Sequence, residues 1–327
     1  MERYAFGSYF AEINTLADLQ FMPGEKPYID RPSADVKPKN LLLYLGCNVL
    51  RTAHLARTVV GVLQAMAFDF NTAGGPAHCC GIVHFRNNEQ KKAHALAANS
   101  MRHFASYGAG KVLMWCPSCN QHYDEVVAAQ HNIAFAYEPV TTFIARHLDQ
   151  ITFVRQVRRR VAVHYHSGHM QSERDWHSIR TILRAIPGLE LIELDSAAAP
   201  GRHCNPSWIC QLGRPQWHRM TTELLEAATR ARVDVVATVY HSCQREICHH
   251  EATYPFSIVN YISLLGEAMG ITHPDVYKRY KLKADPDAAF DGLRTYVQAN
   301  RLDSTRVREV LRSAFAPASE PDGSNPS

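Results

Sequence analysis

The sequence predicts an α/β protein of two similar parallel-sheet lobes followed by a mainly helical region. Three observations carry this. Short apolar runs ending in turn residues alternate with stretches of helical apolar spacing. The same order of elements occurs twice, about 120 residues apart, which is the scale of a duplicated domain rather than a solenoid repeat. From Ser257 onward helical spacing dominates.

Residues 1–40 read as an N-terminal extension lying along the surface, Pro-rich and polar towards their end. LLLYLG, 41–46, is a buried strand with a glycine stop. Helical spacing covers Arg51–Ala67, and a second strand is expected at Phe68–Asn71. GGPAHCCG, 74–81, is a loop by its glycines and proline. Glu89–Tyr107 is an amphipathic helix, Lys111–Trp115 a strand, and Pro117 suits a first helical turn. These elements make up a first domain over 41–155.

The second domain, 156–255, repeats them. VAVHYH, 161–166, is a strand, Glu173–Ile186 a helix and Leu189–Leu194 a strand. A Pro/Gly/Cys-rich loop, 199–213, leads to a helix at Gln216–Ala231 and a strand at Asp234–Tyr240. In this reading Tyr44–Cys47 matches Tyr165–Gly168, AHCC (77–80) matches GRHC (201–204), and WCPSC (115–119) falls opposite VYHSC (239–243). A helical region, 256–315, and a flexible tail, 316–327, with too little apolar content to fold, complete the chain.

The 327 residues carry 35 Lys plus Arg against 31 Asp plus Glu, a net charge of +4 that argues against a nucleic-acid binder. The basic run RQVRRR, 155–160, reads as a solvated connector. The first residues, MERYAFGSYFAEINTL, lack the basic start and apolar run of a signal peptide. No stretch approaches the roughly 18 apolar residues of a membrane span. A cytoplasmic location is expected, where thiols stay reduced. Nine cysteines there suggest metal ligands or redox catalysis. No phosphate-binding or dinucleotide motif is visible, so no flavin or nucleotide is expected on this chain. His84, His94, His103 and His131 lack paired spacing and read as structural.

In the first half Cys47, Cys79, Cys80, Cys116 and Cys119 all fall at strand ends or in the adjoining loops. The carboxyl ends of parallel strands face a shared crevice, so five sulfurs distant in sequence are expected to converge. A tetrahedral zinc site or a cubane cluster needs four thiolates. Five, with an adjacent pair suited to different irons, favours a multi-iron cluster with a bridging thiolate. Cys116 at a helix start gains further thiolate stabilisation. Two alternatives remain open: WCPSC as a redox-active dithiol, and structural zinc.

Cys47, a gap of 31 residues, Cys79-Cys80-Gly81, a gap of 35, and Cys116-Pro-Ser-Cys119 resemble the cysteine-rich CCG domain. That domain occurs, usually twice, in the cysteine-rich subunit of heterodisulfide reductase and in its relatives. The resemblance covers about residues 41–250. It implies a non-cubane 4Fe-4S cluster on Cys47, Cys79, Cys80, Cys116 and Cys119, with the cluster itself as the reactive centre. It implies redox chemistry on disulfide or persulfide sulfur, in a complex with an iron–sulfur electron-transfer subunit and a flavoprotein subunit. Among relatives, a bacterial sulfur-oxidising complex fits the extension and the altered second half. A non-catalytic electron relay or scaffold subunit of a dehydrogenase complex is the other class implied.

The second half departs from the pattern. Gly168, between His166 and His169, stands for the first cysteine. His203-Cys204-Asn205 replaces the pair and glycine, and Tyr240-His-Ser-Cys243 the final pair. Two readings stand: decay of the site with the fold retained, or a different centre such as a cubane or mixed Cys/His cluster on Cys204, Cys243, Cys248 and Cys210.

Overall fold

A computed structural model describes residues 5–195, 199–200 and 203–316. The expected tail, apart from Ala316, lies outside the described residues, as do positions 201–202 of the Cys-rich loop.

The chain opens with helix α1 (Phe6–Asp18). The first lobe then runs β1 (Leu41–Gly46), α2 (Ala53–Ala65), β2 (Phe70–Gly74), α3 (Ile82–Arg86), α4 (Gln90–Ser106), β3 (Lys111–Met114), α5 (Pro117–His122), α6 (Ala128–Gln130), β4 (Ala136–Pro139) and α7 (Val140–Arg146). A π-turn, Tyr123–Val127, joins α5 to α6. The four strands form one parallel sheet in the order β2-β1-β3-β4.

The second lobe follows as β5 (Arg160–His164), β6 (His166–Ser167), α8 (Met170–Ala185), β7 (Glu190–Leu191), β8 (Ala199–Pro200), α9 (Pro206–Leu212), α10 (Arg214–Arg230), β9 (Val235–Thr238), α11 (His241–Ile247), β10 (Ser257–Asn260) and α12 (Tyr261–Ala268). Its parallel sheet, β7-β5-β9-β10, has the same order as the first. Short β6 and β8 pair separately. Helices α13 (Val276–Lys283), α14 (Pro286–Gly292), α15 (Arg294–Ala299) and α16 (Ser304–Phe315) close the structure. The α/β duplication with a helical C-terminal region is thus the architecture of the chain.

Side-chain alternation along the strands explains how the lobes meet. Successive residues point to opposite faces. Leu43 and Leu45 of β1 share one hydrophobic cluster with Val161 and Val163 of β5, whereas Leu42 and Tyr44 face the first lobe's own core, and Ala162 the second's. The basic connector is tied down by its ends: Arg159 pairs with Glu267 and Arg160 with Glu190, each at 2.9 Å.

Three expectations change. The N-terminal extension is not a surface strap, because Ile13, Leu16, Ala17, Leu19 and Phe21 are buried. Each such Leu, Ile or Phe contributes about 1.5–3 kcal/mol, so α1 is part of the core. Strands β4 and β10, unforeseen, form the outer edges of their sheets. Each is four residues long and only partly buried, which leaves little apolar signal. The expected strand over Phe68–Asn71 begins at Phe70 instead, after a turn in which Ala67 has φ 60°.

Candidate metal centre

The five first-lobe cysteines converge. Cys47 follows β1 directly. Cys79 and Cys80 follow the turn after β2. Cys116 is the N-cap of α5, and Cys119 lies in its first turn. All five are free and buried. Their side chains form a continuous series of interactions, Cys47 with Cys79, Cys79 with Cys80, Cys80 with Cys119 and Cys119 with Cys116.

Two glycines make this approach possible. Gly46 has φ +73°, and a Cβ there would lie 2.8 Å from Cys116 Cβ and 3.1 Å from Cys119 Sγ. Gly81 has φ +91°, and a Cβ there would lie 2.4 Å from the Ala93 carbonyl oxygen of α4. Both are left-handed conformations that favour glycine. The Cys79–Gly81 loop is fixed from three sides. Ser100 Oγ donates to the Cys79 carbonyl at 2.9 Å, Tyr44 Oη donates to the His78 carbonyl, and the Gly81 N–H donates to Cys79 Sγ at 3.4 Å. Cys119 Sγ lies 3.7 Å from Tyr44 Oη.

The surroundings favour thiolate at two positions. Contact with Cys47, then with Cys80, holds the Cys79 thiol well below its usual range. Contact with Cys119, aided by the N–H groups of Cys119 and Ser118, lowers Cys116. Cys47 is pushed up by Cys79 and burial, and Cys119 by Cys116 and Cys80. At Cys80 the contact with Cys119 pulls down, but Cys79 and burial outweigh it. Five thiolates in so small a buried volume need a cationic centre among them. Buried polar groups beside them fit a sulfur-rich group. Tyr123 Oη, beside Cys80 and Cys119, and both ring nitrogens of His122, near Cys79, have no hydrogen-bond partner among the described residues. An iron–sulfur group held by Cys47, Cys79, Cys80, Cys116 and Cys119 would offer acceptor sulfurs to both.

A second group lies in the other lobe. His164 at the end of β5, His166 in β6, Cys204 before α9 and Cys243 in α11 are all buried, with their ligating atoms within 4.8 Å of one another. His164 Nε2 is 3.3 Å from Cys204 Sγ, and His166 Nε2 is 3.5 Å from Cys204 Sγ and 3.3 Å from Cys243 Sγ. The Cys204 N–H donates to Cys243 Sγ at 3.4 Å. Burial works against ionising Cys243, but Cys204 and the two imidazoles outweigh it and hold that thiol well below its usual range.

This group corrects the expected ligand set. Cys204 and Cys243 join it, whereas Cys248 and Cys210 do not. Cys248 ends α11 and packs among Leu16, Leu19 and the C-terminal helices, where burial pushes its thiol up. Cys210 is exposed on α9. The repeat also shifts by one residue. Strand pairing aligns Tyr44 with His164, not with Tyr165, whose ring stacks on Trp176 at 4.4 Å. A one-residue slip exchanges the faces. His164 was therefore missed, although HYH places two histidines on one face of a strand end. His169 makes no part of the group.

The lobes meet beside both sites. Ser118, between Cys116 and Cys119, hydrogen-bonds His203 at 2.9 Å, and Gln171 donates to the Pro117 carbonyl at 2.9 Å. A narrow cleft of about 320 Å³ lies there, lined by Pro117, Asn120, Gln171, Asp175 and Tyr240 among others. Asp175 accepts from Tyr240 Oη at 2.8 Å and Thr141 Oγ1 at 3.0 Å, and burial raises its carboxyl above the usual range.

The sequence matches the CCG cysteine-rich domain twice, over residues 41–123 and 163–247. The chain belongs to the CCG cysteine-rich domain family. Among curated relatives, a subunit of the dihydromethanophenazine:CoB–CoM heterodisulfide reductase of Methanosarcina barkeri is 22% identical over 77% of this chain and 65% of its own length. A subunit of the fumarate reductase (CoM/CoB) of Methanothermobacter marburgensis is 22% identical over 69% of this chain and 45% of its own. This CCG chain thus spans less than two thirds of the relatives it matches. A crystal structure of a hypothetical protein from Helicobacter pylori shares the fold, with a TM-score of 0.50 and 10% identity over 80% of this chain and 54% of that one. Among the described residues no helix of this CCG protein is long and apolar enough to cross a membrane.

Proposed function

We propose that this chain is the iron–sulfur subunit of a heterodisulfide-reductase-like complex. Its first lobe holds a non-cubane 4Fe-4S cluster on Cys47, Cys79, Cys80, Cys116 and Cys119. The observation that carries the reading is the convergence of five buried cysteines from three strand ends, one more than a cubane requires. Family membership and the two reductase relatives support it.

Bound there, the group would supply one-electron redox chemistry and iron sites with affinity for sulfur. The chain's own residues do the rest. Gly46 and Gly81 let the backbone close around the sulfurs. Burial of all five ligands excludes water. Cleavage of a disulfide consumes two electrons and two protons and yields two thiols. The electrons come from a partner iron–sulfur subunit fed by a flavoprotein subunit. The interlobe cleft, which reaches Pro117 and Asn120 on the ligand-bearing turn, is the route assigned to a sulfur-containing substrate. The chain acts in the cytoplasm in this reading.

The test is iron and acid-labile sulfide analysis of anaerobically purified protein, with Cys80→Ser as the variant. Iron loss in Cys80→Ser supports the ligand set, and unchanged iron and spectrum contradict it.

One observation favours a second reading, an electron relay or scaffold. The second lobe's crevice is filled by the side chains of His164, His166, Cys204 and Cys243. Mixing the chemically reduced chain with a low-molecular-weight disulfide separates the two. Release of two thiols per disulfide supports catalysis, and oxidation by a partner protein alone supports relay.

A further inference from the structure

We infer that the second lobe binds a single zinc ion, on His164 Nε2, His166 Nε2, Cys204 Sγ and Cys243 Sγ. The site is distinct from the five-cysteine centre and shares no ligand with it.

The distances are those of one tetrahedral ion. With Zn–S of about 2.3 Å and Zn–N of about 2.0–2.1 Å, a sulfur and a nitrogen on the same ion stand about 3.5 Å apart. The three close N···S separations here are 3.3, 3.5 and 3.3 Å. All four ligating atoms lie within 4.8 Å of one another. Terminal ligands of a multi-iron cluster sit on different irons and stand farther apart, so the group suits one ion and not a cluster. Two thiolates with two imidazoles in tetrahedral array are a donor set that zinc favours.

Hydrogen bonding alone does not account for the arrangement. Three N···S approaches involve only two ring nitrogens, and His166 Nε2 faces both sulfurs. A ring nitrogen carries one proton or one lone pair, so one approach is left unmatched. A cation satisfies all four groups together.

The chain places these ligands by simple means. His164 and His166 are two residues apart at a strand end, on one face. Cys204 and Cys243 stand at the sequence positions of Cys80 and Cys119, which interact in the first lobe as this pair does in the second. The two lobes thus keep one cysteine pair in common and complete it differently, with three further cysteines in one and two histidines in the other. Four protein ligands close the coordination sphere, which marks a structural ion and not a catalytic one. It would fasten the Cys204 loop to β5, β6 and α11. That loop carries His203, whose bond to Ser118 reaches the turn between Cys116 and Cys119. The ion would therefore brace the wall of the first-lobe centre.

The test is zinc analysis and zinc-edge X-ray absorption on the full chain purified without added metal. About one zinc per chain is expected, bound by two sulfurs and two nitrogens at the distances above. Cys243→Ala should lose the zinc and keep the iron of the first lobe. His164→Ala is the second variant should Cys243→Ala fail to fold, and the absorption spectrum of the unaltered chain needs neither. Absence of zinc, zinc bound by sulfur alone, iron at the two-sulfur, two-nitrogen site, or full zinc retention in the folded variant overturns the inference. A chain with this zinc but without iron contradicts the proposed function and leaves the second-lobe ion standing.

Discussion

Tyr44 and His164 occupy the same place in the two sheets. Tyr44 pairs with Met114, five residues before Cys119, and His164 pairs with Thr238, five residues before Cys243. In the first lobe this position sets a phenol 3.7 Å from Cys119 Sγ; in the second it sets an imidazole 3.3 Å from Cys204 Sγ. One inward-facing strand residue thus distinguishes a sulfur-only site from a mixed one.

Tyr44→Phe keeps the ring and removes the donor to the buried His78 carbonyl. Leaving a buried acceptor without its donor costs about 1–3 kcal/mol. Denaturant unfolding should show a loss of that size with the five cysteines intact. An unchanged midpoint would place the hydroxyl outside the fold's hydrogen-bonding needs.

Gly81→Ala should be severe. The added Cβ would meet the Ala93 carbonyl at 2.4 Å in a left-handed conformation. The backbone term alone is about 1–2 kcal/mol, before the overlap forces α4 or the cysteine pair to move. Iron content and thermal unfolding should fall together, and normal iron in a stable variant would show that the loop yields without losing its ligands.

His250 predicts a pH effect. Burial, then His249 and His218, push its imidazole from 6.5 down to about 4. The folded state holds the neutral ring while the unfolded chain takes up a proton. Its contribution is therefore complete above pH 6.5 and is lost as pH falls from there towards 4. Because the ring is partly exposed, the loss is about 1–2 kcal/mol once screening is allowed for. Denaturation midpoints between pH 7 and 4.5 should fall less steeply in His250→Gln; identical slopes would remove His250 from the account.

Of the nine cysteines Cys210 alone is exposed. Mass spectrometry after brief alkylation of folded protein should find one modified thiol, absent in Cys210→Ser. That variant and Cys248→Ala should both keep their metals. Metal loss in either would restore the ligand role that the fold denies them.

Much of this was legible in the chain. Buried strands such as LLLYLG are short apolar runs with a glycine stop, and the adjacent pair Cys79–Cys80 with Cys116 and Cys119 falls where parallel strands end. The second sheet's order follows from the duplication. Edge strands β4 and β10 were less visible because half-buried segments of four residues carry little pattern. Helix α1 was masked by the Pro-rich stretch after it, although Phe6, Phe10, Ile13 and Ala17 keep helical spacing. His164 was hidden by matching the repeats on their tyrosines; the face of a strand residue depends on register, which pairing decides and residue likeness does not.

Counting iron and acid-labile sulfide in anaerobically purified protein, on the sample used for its electron paramagnetic resonance spectrum, tests the central claim most directly. About four irons and four sulfides per chain are predicted, falling sharply in Cys80→Ser. Zinc in the five-cysteine site with neither iron nor sulfide would contradict it.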